Sequence, residues 1–228
     1  MKVFHKQKSL VIIGDSAFAE VAMEYFNNDS QYTVVGFAVE EGYRKHEFLH
    51  GLPVIHLSDL VKTFPPDEND AFVAVTYREL NRTRTRLLQK VKTYGYVLAS
   101  YISSQALVWP SVEIGEHCFI FESNVVQPFA RIGSNVILWS GNHIGHHARI
   151  GDNVFISSHV VVSGFATIGD NSFLGVNSTL ANNISIGRDC WIGPSALVTT
   201  NTDDFKVIRA VSPKPSAVST HRLWKLKN

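Results

Sequence analysis

Cysteine and net charge are both scarce in this chain of 228 residues, and each shortage closes off a class of protein. Two cysteines, Cys118 and Cys190, cannot make the disulfide framework of a small secreted domain. Lysine plus arginine, at 21, barely exceeds aspartate plus glutamate, at 20, so no overall basic field draws the chain to nucleic acid. No apolar run comes near the roughly 20 residues that span a bilayer. Met1 to Ser9 is too polar for a secretory signal, which predicts a cytoplasmic protein with no membrane partner. With 45% apolar and 18% charged residues, the composition is that of a folded chain rather than a disordered one.

What the chain has instead is a repeat. Ile-Gly recurs at 114, 132, 150, 168 and 186, always 18 residues apart, with a finer period of six inside that spacing. Stepping by six from Val108 to Val198 meets sixteen positions, all of them Val, Ile or Leu. Four residues after most of these stands a small or β-branched residue, among them Ala130, Val136, Ala148, Val154, Ala166 and Ala196. A period of six suits neither a helix, at about 3.6, nor an alternating strand. It suits a prism with three flat faces, one hexad to a face and 18 residues to a coil. The pattern resembles the left-handed parallel β-helix of hexapeptide repeats, an exception to the right-handed crossover rule. Coils stack at about 4.8 Å, so Cys118 and Cys190, four coils apart, are separated by about 19 Å and cannot be bridged. No insertion interrupts the hexads, so an active site must sit on the prism surface. A neighbouring subunit would close it there, and a homotrimer is the natural closure.

The first hundred residues read differently. Ser9 to Ile13 is a buried strand running into Gly14, Ala17 to Phe26 has helical spacing, Thr33 to Val39 and Ala71 to Val75 are strands, and Arg78 to Tyr94 is a second helix. These predict a small Rossmann-like βαβ unit over 1–102, an α/β domain followed by the β-helix over 103–203 and a tail over 204–228. Gly14, Asp15 and Ser16 stand where a dinucleotide fold keeps its glycine-rich turn, with two of three glycines missing. They form either an anion-binding turn at a helix N-terminus or a plain tight connection. Glu40 and Glu41 follow the second strand, placed either to accept from a ribose or base or to form a solvated turn beside Gly42. The run Arg78, Arg82, Arg86, Lys90 and Lys92 reads as a solvated helix face, from which Arg84 is set apart.

Five of the ten histidines fall inside the repeat: His117, His143, His146, His147 and His159. His146 stands two residues after Ile144, and its counterparts one coil either side are Pro128 and Gly164, so little bulk flanks it. Imidazole titrates near working pH, which fits a general base. His143, His147 and His159 are candidates for supporting that base.

A short nucleotide-fold domain followed by hexads carrying Ile-Gly-His-His-Ala-Arg-Ile-Gly-Asp at 144–152 and Gly-Phe-Ala-Thr-Ile-Gly-Asp-Asn-Ser at 164–172 resembles the bacterial sugar acyltransferases. That group includes N-acetyltransferases of nucleotide-linked 4-amino-6-deoxy sugars and sialic acid O-acetyltransferases, and the resemblance covers about residues 9–200. It implies acetyl-CoA or another acyl-CoA as co-substrate, no metal, a homotrimer, and acyl transfer to a nucleotide-linked amino sugar for surface glycans such as lipopolysaccharide O-antigen. It implies that His146 takes the proton of the sugar amine as the amine attacks the thioester, with prism backbone N–H groups holding the oxyanion. Gly14, Asp15 and Ser16 would meet the nucleotide-sugar phosphates, Glu40 and Glu41 the base and ribose. Tyr77, Asn81 and Arg84 fit a Tyr-x-x-x-Asn-x-x-Arg signature beside the same pocket. Gly164, Gly175 and Val176 would border the pantetheine arm, and Lys214 a coenzyme A phosphate.

Three departures stand out. The family follows its base with Asp or Glu, and here His147 follows; a typical Asn seven residues before the base is Trp139; and the Gly-Val-Pro-Ala-Lys ending is Ala-Val-Ser-Pro-Lys-Pro at 210–215, before a basic tail with Arg222, Lys225 and Lys227. Sugar O-acylation is the nearest alternative chemistry. A zinc enzyme of carbonic-anhydrase type is another, prompted by His143, His146, His147 and His159, but it leaves the nucleotide domain without a task. An NAD-dependent enzyme is disfavoured by the missing glycines.

Overall fold

The computed structural model describes residues 5–211 and 214–226. Ser212 and Pro213 of the altered ending, and Lys227 of the basic tail, lie outside the described residues.

The N-terminal domain is a five-stranded sheet. Its strands are β1 (Lys8–Ile13), β2 (Tyr32–Val39), β3 (Phe48–Leu49), β4 (Leu52–His56) and β5 (Asn69–Val73), in the order β3-β4-β2-β1-β5. All neighbours are parallel except the β3–β4 hairpin. Continuous apolar runs such as Leu10–Ile13, all buried, are what a parallel sheet covered on both faces requires. One face is covered by α1 (Ala17–Asp29), through Phe18, Ala22 and Phe26. The other is covered by α2 (Leu60–Thr63) and α3 (Arg82–Thr93), through Leu60, Leu87, Leu88 and Val91.

Helix α3 starts four residues later than the spacing predicts. Glu79, Leu80 and Asn81 have φ of +54°, +49° and +67°, a left-handed run that cannot join a right-handed helix. This twist turns Asn81 inward.

From Tyr101 onward the chain is a left-handed parallel β-helix of two-residue strands on three faces. The first face has seven strands, from Tyr101–Ile102 to Val207–Ile208; the second has six, from Leu107–Val108 to Leu197–Val198; the third has five, from Glu113–Ile114 to Ser185–Ile186. Register steps by 18 along each face, as in Phe119↔Ile137↔Phe155↔Phe173↔Trp191. The last step is shorter: Trp191 pairs with Val207 and Ile186 with Thr202, a coil of 16 residues that the aliphatic hexads do not announce. The aliphatic positions and the small residues four later fill one core, with Ile144, Ala148, Val154, Ile156, Val160 and Ala166 fully buried.

Most hexads turn their corner three residues after the aliphatic, on a residue with φ near +60°. Asn135, Asn153, Asn171, Asn177 and Asn183 hold such corners, and so do His117, His147 and His159. Asn and His are among the residues that tolerate this conformation best. Three of the five prism histidines therefore have a backbone reason for their place.

The two domains share a core. Outward-pointing residues of the first face form an apolar column, Phe119, Ile137, Phe155, Phe173 and Trp191, and α1 lies on it with Phe18 against Phe119 at 5.7 Å and Trp139 at 5.6 Å between ring centres. The equivalent column of the third face is Glu113, Arg131, Arg149, Thr167 and Ser185, which suits water.

Candidate active site

At the carboxyl ends of β1 and β2 lies a cavity of about 480 Å³. Gly14, Asp15, Ser16 and Glu40 line it, together with Lys45, Arg78, Thr83 and Arg86. Open parallel sheets bind ligands at this edge. Gly14 is required here: its φ is +126°, and a Cβ would stand 2.9 Å from the Ala74 carbonyl oxygen. Ser16 caps α1 without spending its hydroxyl on a backbone N–H, so the hydroxyl and the positive end of the helix both face the cavity.

Glu40 is not a free acceptor. Both Arg86 guanidinium nitrogens donate to its carboxylate, at 2.6 and 2.7 Å, and this bidentate pair holds its carboxyl below the usual range. Each oxygen keeps capacity for one more donor. Arg78, by contrast, lines the cavity with no ion-pair partner among the described residues. Glu41 is exposed on the turn and does not line the cavity. The sequence does not single out Lys45, and it reads Arg78 as part of a solvated helix face, whereas Arg78 lies ahead of α3 on the cavity wall; Lys45 lies thirty residues from Asp15, and only the fold brings its N–H to the Asp15 carboxylate, at 3.4 Å.

The remaining signature residues sit elsewhere. Tyr77 is half-exposed, its ring 5.0 Å from Phe155 and 4.6 Å from Phe173. Asn81 and Arg84 are wholly buried where α3 meets the prism and do not line the cavity. Arg84 donates to the Asn135 carbonyl, its Nε has no partner among the described residues, and burial lowers its pKa to about 9. His117 is buried beside it, accepting the Val73 N–H at 2.9 Å and pairing through Nδ1 with Asn135 Oδ1 at 2.9 Å. Burial first, and the Arg84 charge second, push its pKa down to about 3. The signature thus places Tyr77, Asn81 and Arg84 at the seam between α3 and the prism rather than on the cavity wall.

His146 occupies the corner between the second and third faces, opposite the face that carries the N-terminal domain. Its N–H donates to Gln127 Oε1 at 2.9 Å, and its Nδ1 lies 3.2 Å from Nδ1 of His147. Nε2 points over Gly164, where a Cβ would come within 2.8 Å of it. Glycine at 164 is thus what leaves room for the imidazole. His143 is half-buried on the second face between Val125 and Val161, and His159 is exposed one corner away, its ring over Gly141. These four histidines are spread over two corners and a face, and no three His, Cys, Asp or Glu side chains among the described residues converge as a metal set. The zinc alternative therefore finds no ligand group here.

Gly175 is buried and Val176 exposed on the corner between the first and second faces, and Lys214 is exposed in the tail. Burial raises the Cys118 thiol to about 11, which removes it as a nucleophile. No helix is long and apolar enough to cross a membrane among the described residues.

Known proteins match this architecture in both halves. The PglD N-terminal domain matches residues 9–91, the bacterial transferase hexapeptide (six repeats) 129–164, and the hexapeptide repeat of succinyl-transferase 166–198. No curated protein matches by sequence. Among solved structures, PerB from Caulobacter crescentus in complex with CoA and GDP-perosamine aligns with TM-score 0.77 and 25% identity, covering 87% of this chain and 92% of that one. A histidine-substituted perosamine N-acetyltransferase from the same organism, also with CoA and GDP-perosamine, gives 0.79 at 25% identity over the same shares. The acetyltransferase domain of PglB from Neisseria gonorrhoeae, in complex with acetyl coenzyme A, gives 0.76 at 24% identity over 88% and 95%, a likeness of fold.

Proposed function

We propose that this chain, a PglD N-terminal domain joined to a prism of bacterial transferase hexapeptides, transfers an acyl group, acetyl foremost, from acyl-CoA to the amine of a nucleotide-linked deoxyamino sugar. The observation that carries this reading is His146: Nδ1 engaged by a neighbour, Nε2 facing a gap kept open by Gly164. An imidazole so held is prepared to take a proton.

The nucleotide diphosphate would lie at Gly14, Asp15 and Ser16, with Arg78 and Lys45 as its cations. The sugar amine then attacks the thioester carbonyl while His146 Nε2 removes its proton. The C–N bond forms, the tetrahedral intermediate expels the CoA thiolate as the C–S bond breaks, and that sulfur is protonated. Gly164, Gly175 and Val176 would border the pantetheine.

The cavity and His146 lie on different sides of one prism, so the complete site would draw on two chains. The outer residues of the second face and its corner support such an association: Leu107, Leu197, Phe129 and Phe165 are each more than half exposed. A cytoplasmic homotrimer feeding surface glycan assembly fits both features.

The test is release of free thiol from acetyl-CoA against a panel of GDP-, UDP- and dTDP-linked 4-amino and 3-amino deoxy sugars, with product mass. An amide product from one amino sugar is expected. Turnover only on hydroxyl acceptors, giving a base-labile ester, would replace N-acylation by O-acylation.

A further inference from the structure

His147 follows His146 directly, and its surroundings give it a task. The ring stands in a stack along the corner column, 4.9 Å from Phe129 below and 4.7 Å from Phe165 above, nearly parallel to the latter at 17°. All three residues share the left-handed corner conformation, with φ of +65°, +59° and +60°. His147 is thus held by two aromatic faces and by its own N–H, which donates to the Pro128 carbonyl at 3.2 Å. Its Nδ1 edge is presented to Nδ1 of His146 at 3.2 Å, with the two rings almost perpendicular at 86°.

Two nitrogens at that distance can hold one proton between them. If it sits on His146, that ring is the Nδ1–H tautomer and its Nε2 carries a lone pair over Gly164. If it sits on His147, His146 accepts at Nδ1, carries its proton on Nε2, and has no basic nitrogen facing the gap.

We propose that His147 is a positioning residue that fixes the tautomer of His146: its Nδ1 accepts the Nδ1–H of His146, which leaves Nε2 unprotonated towards Gly164. This rests on the reading of His146 as the base. When Nε2 gains the amine proton, the bond from Nδ1–H to His147 becomes charge-assisted and strengthens, so the pair stabilises the imidazolium as it forms. A neutral imidazole does this with a dipole where a carboxylate would use a full charge. Only one arrangement of the shared proton is productive, which a carboxylate partner, having no proton to give, would not require.

The stack supplies its own control. Phe129 and Phe165 already adopt the corner conformation one coil either side, so His147→Phe continues the column and removes only the nitrogens. Expected for His147→Phe are an unchanged melting temperature, KM values for both substrates within about twofold, and a kcat lower by about ten- to a hundredfold, less than loss of an ionised partner costs a triad. Histidine-selective ¹⁵N spectra of the full-length wild type should show His146 as the Nδ1–H tautomer, shifting towards Nε2–H in His147→Phe. A wild-type spectrum with His146 as Nε2–H overturns the proposal without recourse to any variant. So does a full loss of turnover in His146→Ala beside an unchanged kcat in His147→Phe, which leaves the base reading intact. Normal turnover in His146→Ala removes the base reading and the proposal together.

Discussion

Lowering the pH from 6.5 to 5 should weaken this fold through one side chain. His117 is buried, accepts the Val73 N–H and stacks on Phe72 at 4.7 Å, and its pKa falls to about 3. In the unfolded chain it titrates near 6.5. The depressed group is neutral when folded, so its contribution is complete above about pH 6.5 and is lost as the pH falls from there towards 3. The slope approaches about 1.4 kcal/mol per pH unit, which makes about 1.5 kcal/mol between pH 6.5 and 5. Asp29, Glu40 and Glu122 are lowered carboxylates whose contribution fades only below the ordinary carboxylate range, so they leave this window clear. The control is His117→Asn, because Asn135, Asn153 and Asn171 continue the same corner column with the same left-handed backbone. Freeing the Val73 N–H should make the variant less stable at pH 7 by about 1–3 kcal/mol. Its stability should nevertheless change less than the wild type's between pH 6.5 and 5, by about that 1.5 kcal/mol. Urea unfolding followed by circular dichroism, at one fixed protein concentration, reads both. Equal pH slopes in the two proteins would refute the reasoning.

Three further substitutions probe separate parts of the structure. Gly164→Ala puts a methyl 2.8 Å from His146 Nε2; kcat should drop about tenfold, with stability changing by under about 1 kcal/mol because a side-chain end can yield, as steady-state kinetics and thermal melting would register. Phe119→Ala empties the centre of the interdomain core, where its ring meets Phe18, Phe26, Tyr101 and Phe121, and should cost about 3–5 kcal/mol in denaturant titration. Arg86→Ala leaves the Glu40 carboxylate in the nucleotide cavity with only Lys90, at 3.9 Å, to offset it; KM for the nucleotide sugar should rise several-fold with kcat kept, while stability moves by no more than about 1 kcal/mol, since the pair is partly exposed.

The prism was legible almost residue by residue, because a closed triangular coil repeats the same steric demand every six positions. Inward places such as Ile144 and Ala148 tolerate little else. The docking face was not read from the sequence: the outer column of Phe119, Ile137, Phe155, Phe173 and Trp191 is apolar, but so is much of the second face, with Leu107, Val125, Val161 and Leu197. Histidine abundance misleads in this fold, since His117, His147 and His159 occupy corners whose backbone admits few residue types. Arg84 and Asn81 were harder. Their burial follows from the left-handed run at 79–81, which shortens α3, and no periodicity records such a run. Lys45 escaped notice and Arg78 was read as a solvated helix residue because a cavity wall gathers residues from separate loops, and sequence spacing carries no trace of that.

The central claim is that His146 takes the proton of the attacking amine. Steady-state kinetics of His146→Ala with acetyl-CoA and the accepted amino sugar, both saturating, tests it most directly. Expected is a kcat lower by about a hundred- to ten-thousandfold, with both KM values within about threefold. A kcat close to wild type would contradict it.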